Sequence, residues 1–232
     1  MQPIHTCHNE HGRWQGVIPL PPQEMMNNIG SSSLELFYFL AEACYQTVSQ
    51  YLIPDSTVLD MGCGCGAKAR FFANHPWVHR YIGFDCDPVA IAWCQEYIVP
   101  AASDVFEFHH FDLHSQAYNP KGALKASEFV FPAKDRSVDM AFAGSLFTHL
   151  LEPDARHYLD ETYRVLALGG AAILSIHGAP PTGSEYSGDE GRIEVRPDYF
   201  LSMARDSHLY PVYPDRESFE LCGQRVFILR RG

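Results

Sequence analysis

Three glycines and three aspartates stand at spacings from which a ligand site can be built. The run Val58-Leu59-Asp60-Met61-Gly62-Cys63-Gly64-Cys65-Gly66 is a short apolar stretch followed by G-x-G-x-G. Lacking side chains, Gly62, Gly64 and Gly66 let the backbone turn sharply and approach a ligand closely. Because residue 67 is Ala, the spacing also fits the G-x-G-x-x-A form of a dinucleotide-binding turn, so the glycines alone leave the ligand open. The acidic residues narrow it. Asp60 ends the apolar run just before Gly62, where it would face a diphosphate with like charge, an unfavourable pairing. A ligand bearing an ammonium and a sulfonium suits that position better. Asp85 ends the next run (YIGFD), the place from which a carboxylate accepts two ribose hydroxyls, and Asp112 ends a third (FEFHHFD). Together the three aspartates line one edge of a sheet, if each run is a strand.

The surrounding pattern supplies those strands. Apolar runs at 57–61, 81–85, 106–112, 138–144 and 171–177 are separated by helix-like stretches. Ser32 with Glu35 makes a capping box, and Leu34, Phe37, Ala41, Cys44, Val48 and Tyr51 recur at helical spacing until Pro54. After Pro153, the residues Ala155, Tyr158, Leu159, Thr162, Tyr163 and Leu166 form an apolar stripe that Gly169 and Gly170 end. The tail 223–231 reads as a final strand, with a looser candidate at 209–213. Strands alternating with helices predict an α/β fold, a parallel sheet with right-handed crossovers and a ligand across the carboxyl ends of the strands. Residues 1–54 are read as an N-terminal irregular lid segment plus a capping helix, and 55–232 as the core.

Residues 55–178 resemble the class I S-adenosylmethionine-dependent methyltransferases. VLDMGCGCG is similar to their first motif, GFDCDP to their ribose-binding acidic strand end, and FHHFDL to their adenine-binding segment. RSVDMAFAGSLFTHL resembles the fourth-strand motif and YLDETYRVLALGG the helix and turn before the fifth, with Leu168 where the family often has proline. YNPKG and ILSIHG look like a small-molecule branch. The resemblance implies a Rossmann-like, doubly wound, seven-stranded sheet, mostly parallel with an antiparallel last strand and helices on both faces. It also implies S-adenosyl-L-methionine as cofactor and S-adenosyl-L-homocysteine as product. Its cofactor-binding residues would be Asp60, Gly62, Gly64, Gly66, Asp85, Cys86, Asp112, Leu113 and Gly144. Cys86 would lie against the adenine, and Asp112 with the Leu113 backbone would meet the adenine edge.

Two histidines are the candidates for catalysis. His149 follows the fourth strand and His177 ends the fifth, and an imidazole with an ordinary pKa near 6.5 is a reasonable base. They tilt the expectation toward O-methylation over N- or C-methylation. Phe147, Met25 and Met26 are candidates for an apolar acceptor pocket, while Tyr186, Arg192 and Arg196 lie in a polar stretch without an assigned role. Cys63 and Cys65 are read as small residues of the turn and Asp139 as structural. His5, Cys7, His8 and His11 are soft ligands near a terminus, read as incidental, so no metal is expected.

Composition limits the partners. The net charge of −11 gives no general attraction to nucleic acid or anionic lipid, and no basic cluster stands out. Seven cysteines, with no CxxC pair, argue against a zinc ribbon or a disulfide framework. No leader pattern or long apolar run appears, so a cytoplasmic, non-membrane protein acting on a small molecule is expected. A non-catalytic cofactor-binding sensor or activating subunit is the alternative, and a nicotinamide-dependent oxidoreductase on the same turn a weaker one.

Overall fold

The computed structural model describes residues 18–102, 104–213 and 217–232. In chain order the principal elements are α1 (Gln23–Asn28), α2 (Leu34–Ser49), β1 (Ser56–Met61), α3 (Ala69–Phe72), β2 (Val78–Asp85), α4 (Pro88–Trp93) and β3 (Phe106–His110). There follow β4 (Val138–Ala143), α5 (Glu152–Val165), β5 (Leu166–Gly178), β6 (Tyr186–Asp189), β7 (Arg192–Val195) and α6 (Pro197–Asp206). The chain ends with β8 (Leu209–Pro211), β9 (Phe219–Leu221) and β10 (Gln224–Arg231).

Seven strands lie side by side in the order β3-β2-β1-β4-β5-β10-β8. The first five are parallel, whereas β10 runs antiparallel to both β5 and β8. This is the parallel α/β sheet expected from the alternating pattern, in the doubly wound, mostly parallel form that the resemblance implies. Side chains on a strand alternate between faces, and both faces are packed. Leu59, Met61, Ile82, Phe84 and Leu174 pack on one side with Tyr158 and Leu159 of α5 and Phe200 of α6. Val58, Tyr81, Phe106, Met140 and Phe142 pack on the other with Val48 of α2, Phe72 of α3 and Ile91 of α4. Strand order reverses at β1, so the crevice of this sheet opens beside the carboxyl ends of β1 and β4.

The elements before β1 sit on the glycine turn. Phe37 and Ala41 of α2 share a buried cluster with Met26 of α1, Cys65, Ala67 and Ala90. Arg70 donates to the carbonyls of Ile18 (3.2 Å) and Pro19 (2.7 Å), fixing the entering chain. Residues read as wholly irregular thus contain a short helix. The cap of α2 is Ser33 rather than Ser32, its hydroxyl accepting the Leu36 N–H at 3.2 Å.

Three boundaries differ from expectation for physical reasons. β3 stops at His110, leaving Asp112 outside the strand. α5 stops at Val165, where Arg231 donates to the carbonyls of Tyr163 (2.8 Å) and Leu166 (3.0 Å) and so satisfies the exposed helix end. Residues 166–170 already belong to β5, and Gly170 is required by the sheet: a Cβ there would meet the Val138 carbonyl at 2.9 Å. Finally, β6 and β7 form a hairpin that continues the sheet, with His177 of β5 opposite Glu194 of β7.

Gly66 serves packing. Its φ is +71°, and a Cβ would stand 2.3 Å from Ile98 Cδ1 and 3.1 Å from Cys94 Sγ. Gly66→Ala should therefore combine left-handed backbone strain with overpacking and destabilise the fold by about 2–4 kcal/mol. Equilibrium denaturation of the variant checks this; an unchanged midpoint would mean the turn relaxes freely.

Candidate active site

One cavity of about 630 Å³ opens at the carboxyl ends of β1, β2, β4 and β5, within the ~300–1,000 Å³ range of small-molecule sites. Its floor is the glycine turn. Gly62 and Gly64, at φ +71° and +52°, line it with Cys63 and Cys65. The turn is held from β2: the N–H groups of Gly62 and Cys63 both donate to the Phe84 carbonyl at 3.0 Å, and Gly64 N–H donates to Asp85 Oδ2 at 2.7 Å. Asp85 Oδ1 accepts the Asp87 N–H at 2.9 Å. Burial pushes the Asp85 pKa up, against the lowering effect of those two backbone bonds. Cys86, Leu113 and Gly144 also line the cavity.

Three residues expected to bind the cofactor are off the cavity wall. Gly66 faces Ile98 and Cys94, as described. Asp112, beyond the end of β3, is exposed and accepts from Asn119 Nδ2 (3.0 Å) and Ala123 N–H (3.2 Å), bonds that hold its pKa below the usual carboxylate value. Its side chain ties down the loop after β3, the ordinary work of a turn aspartate. Asp60 is fully buried beneath the turn. Tyr81 donates its hydroxyl to Asp60 Oδ2 at 2.6 Å, and Lys68 Nζ lies 3.7 Å from Oδ1. Burial raises the Asp60 pKa against the opposing pull of Lys68 and the Tyr81 hydroxyl. The expectation that Asp60 itself selects a cationic ligand is thereby corrected: its charge is answered from within the protein by Lys68, which does line the cavity.

Farther along, the cavity reaches both candidate histidines. His149 Nδ1 lies 2.8 Å from the backbone carbonyl of Glu190, in the turn between β6 and β7. A carbonyl only accepts, so Nδ1 carries the proton and a neutral ring leaves Nε2 free to accept. The Tyr118 ring packs edge-on against His149, centroids 5.7 Å apart. The pKa of His177 is pushed down by burial first and then by the positive charge of Arg192. Glu190 also accepts the Gln116 N–H at 2.6 Å and lies 3.9 Å from His114 Nδ1, so one residue joins the hairpin to the loop after β3 over the cavity. Met25 lines the cavity, but Phe147 and Met26 are buried in the core. Tyr186 bonds the Leu150 carbonyl, and Arg192 and Arg196 pair with Glu194 and Asp198. Asp139 accepts the Thr57 N–H, and Cys63 and Cys65 are packed in the turn. No metal-binding cluster occurs among the described residues, and His5, Cys7, His8 and His11 lie outside them.

Residues 58–170 match the family described as a methyltransferase domain. Residues 58–170 thus form a methyltransferase domain, dependent on S-adenosylmethionine. Its fold is similar to solved structures spanning nearly its whole length. One is the Burkholderia thailandensis 1,6-didemethyltoxoflavin-N1-methyltransferase with bound 1,6-didemethyltoxoflavin and S-adenosylhomocysteine (TM-score 0.59, 17% identity, 94% of this chain and 93% of that). Another is a TehB-like S-adenosylmethionine-dependent methyltransferase from Corynebacterium glutamicum (TM-score 0.55, 17% identity, 89% and 92%). A third is a chain from the complex between a Haloferax volcanii methyltransferase activator and a putative methyltransferase (TM-score 0.59, 17% identity, 88% and 92%). The nicotinamide-dependent alternative is set aside.

The cavity of the methyltransferase domain suits its cofactor. Backbone without Cβ atoms at Gly62 and Gly64 leaves room along the turn, and Asp85, which lines the cavity, keeps further lone pairs after accepting two N–H groups. Sequence reasoning passed over Lys68, Ser31, Tyr118 and Glu190 as individual contributors. A lysine or a glutamate in a loop carries no spacing signal, and only the packing of separate segments brings these four to the cavity.

Two measurements test this geometry. Asp85→Ala should weaken S-adenosylhomocysteine binding by about 1–3 kcal/mol, the loss of a charged acceptor, as read by calorimetry; an unchanged affinity would remove Asp85 from the site. For His177, a folded pKa below the unfolded value means that protonation favours unfolding, so stability is lost as pH falls through and below about 6.5. His177→Gln should make the fall in melting temperature between pH 7.5 and pH 5 shallower, and parallel curves would contradict it.

Proposed function

We propose that this methyltransferase moves the methyl group of S-adenosylmethionine to a small-molecule acceptor, with oxygen favoured over nitrogen or carbon. The observation that carries the reading is the continuity of one cavity from the glycine turn past Gly144 to His149 and His177. When bound, the cofactor supplies an electrophilic methyl on a sulfonium. Gly62, Gly64, Asp85, Cys86, Leu113 and Gly144 are its assigned contacts from this chain.

The protein's share of such a reaction is alignment, exclusion of water and movement of one proton. The α1–α2 segment covers the turn from one side, with Ile29 Cγ2 only 3.0 Å from where a Cβ on Gly64 would lie. The β6–β7 hairpin covers the other through Glu190. With the methyl donor held by those residues, the proton that an attacking acceptor hydroxyl gives up as its oxygen takes the methyl would pass to His149 Nε2. The Glu190 carbonyl at Nδ1 holds that tautomer and steadies the imidazolium. His177, held toward its neutral form by burial, is the acceptor's second polar contact.

A small and uncharged acceptor agrees with the electrostatics. The chain is acidic overall, and many of its arginines are already paired, as Arg80 is with Glu107, Arg164 with Glu161 and Arg205 with Glu217. Little basic surface is left over for a polyanionic substrate. No helix among the described residues is long and apolar enough to cross a membrane.

Incubation with S-adenosylmethionine and a panel of phenols, carboxylates, sugars and amines tests the proposal, with methylated product read by mass spectrometry. Turnover of a hydroxyl acceptor is the expected result; binding of the cofactor with no product across the panel would favour a non-catalytic sensor or activating subunit. With an active acceptor in hand, His149→Gln should lower kcat by about 10²–10⁴-fold while leaving S-adenosylhomocysteine affinity intact.

A further inference from the structure

Lys68 is the one lysine or arginine among the described residues that line the cavity, whereas Asp85, Asp87, Asp154 and Glu190 give that lining four carboxylates. Its side chain is only 15% exposed, and its stem runs beneath Gly144, where a Cβ would sit 3.2 Å from Lys68 Cε and 3.6 Å from Nζ. Behind it is the fully buried Asp60, whose Oδ1 has no hydrogen-bond partner and lies 3.7 Å from the ammonium. Burial is the largest influence and opposes the charge on Lys68, but Asp60, with smaller contributions from Cys44, Cys63 and Asp85, leaves the lysine pKa above its ordinary value. Ser31, two residues beyond Ile29, also lines the cavity, and its hydroxyl is buried and without a hydrogen-bond partner.

A positive group at this position repels a ligand's ammonium and attracts its carboxylate. We propose that Lys68 takes the α-carboxylate of the cofactor's amino-acid tail, with Asp60 as its buried counter-ion. This rests on the assignment of the cavity to S-adenosylmethionine and reverses the charge that the glycine turn presents to it. Asp60 holds Lys68 charged and in place; Lys68 makes the contact; Ser31 adds a neutral partner for the same polar tail. Gly144 is needed because a side chain there would displace the lysine stem.

Calorimetry with S-adenosylhomocysteine and with its decarboxylated analogue separates this from a purely structural ion pair. The wild-type protein should prefer S-adenosylhomocysteine by about 10- to 100-fold, the worth of a charge-assisted hydrogen bond. Lys68→Met should shrink that preference to within about threefold, chiefly by weakening S-adenosylhomocysteine and not the analogue. Asp60→Asn alone, which leaves Lys68 to make the contact without its counter-ion, should lower the preference to between those two values. Should Lys68→Met fail to fold because Asp60 is left buried and uncompensated, Asp60→Asn combined with Lys68→Met removes both charges and keeps the readout. A parallel loss for both ligands, with the preference intact, marks Lys68 as structural and overturns the proposal. Failure of the wild type to bind either compound would instead overturn the cofactor assignment, and the Lys68 contact with it.

Discussion

The site depends on how the chain leaves β1. Three successive N–H groups, those of Gly62, Cys63 and Gly64, are taken by the last two residues of β2 through the Phe84 carbonyl and the Asp85 carboxylate. A chain with side chains at Gly62 and Gly64 would meet a steric penalty in the same positive-φ turn. Once the turn is fixed, the cavity floor is fixed with it, and α1, α2 and the β6–β7 hairpin need only roof it over. Asp85 therefore has two connected duties. Its carboxylate organises the turn through backbone N–H groups, and its remaining lone pairs face the cavity that the turn creates.

Much of this was legible in the chain itself because the central strands are covered on both faces. β1 and β4 read as nearly continuous apolar runs and need no alternation to be found. A mainly parallel sheet with its ligand edge at the carboxyl ends followed from the alternation of strands and helices. Boundaries were less legible, since they are set by partners distant in sequence. Arg231 ends α5 from the far end of the chain, and β3 ends with its pairing to β2 at His110, short of the apolar run that seemed to extend to Asp112. Asp112 and Asp85 have the same side chain after comparable runs; the two-residue difference in strand end sends one into a loop and leaves the other on the cavity.

Asp60 shows a different limit. Its position along β1 was correctly read, but its effect on a ligand depends on what neutralises it, and Lys68 is eight positions away across a turn. Linear spacing assigns a negative charge to the turn; the folded chain buries that charge behind an ammonium. Tyr81 completes the arrangement from β2, so that the carboxylate is held by one hydroxyl and one cation. Such a pair gives limited net stability, because desolvating two charges offsets much of their attraction. What it does provide is a rigidly placed cation at the edge of a cavity whose other ionisable walls are mostly acidic.

The two ends of the cavity thus differ in chemical character. At the glycine turn a single fixed positive charge and a buried hydroxyl face inward. At the β5 end imidazoles and a phenol join the carboxylates of Asp154 and Glu190, and His149 is oriented by a backbone carbonyl and by ring packing. On the proposed reading, a zwitterionic tail is matched by the first and the acceptor by the second. Because a sulfonium loses its charge as its methyl leaves, a strongly ionic environment at the reacting centre is not required. What the centre needs is dryness and alignment, and the roof built from α1, α2 and the β6–β7 turn supplies covalently linked walls on both sides of it. On the proposed reading, selectivity for the acceptor resides in the segments least constrained by the sheet, so the regular part of the sequence reveals the cofactor half of the site more readily than the acceptor half.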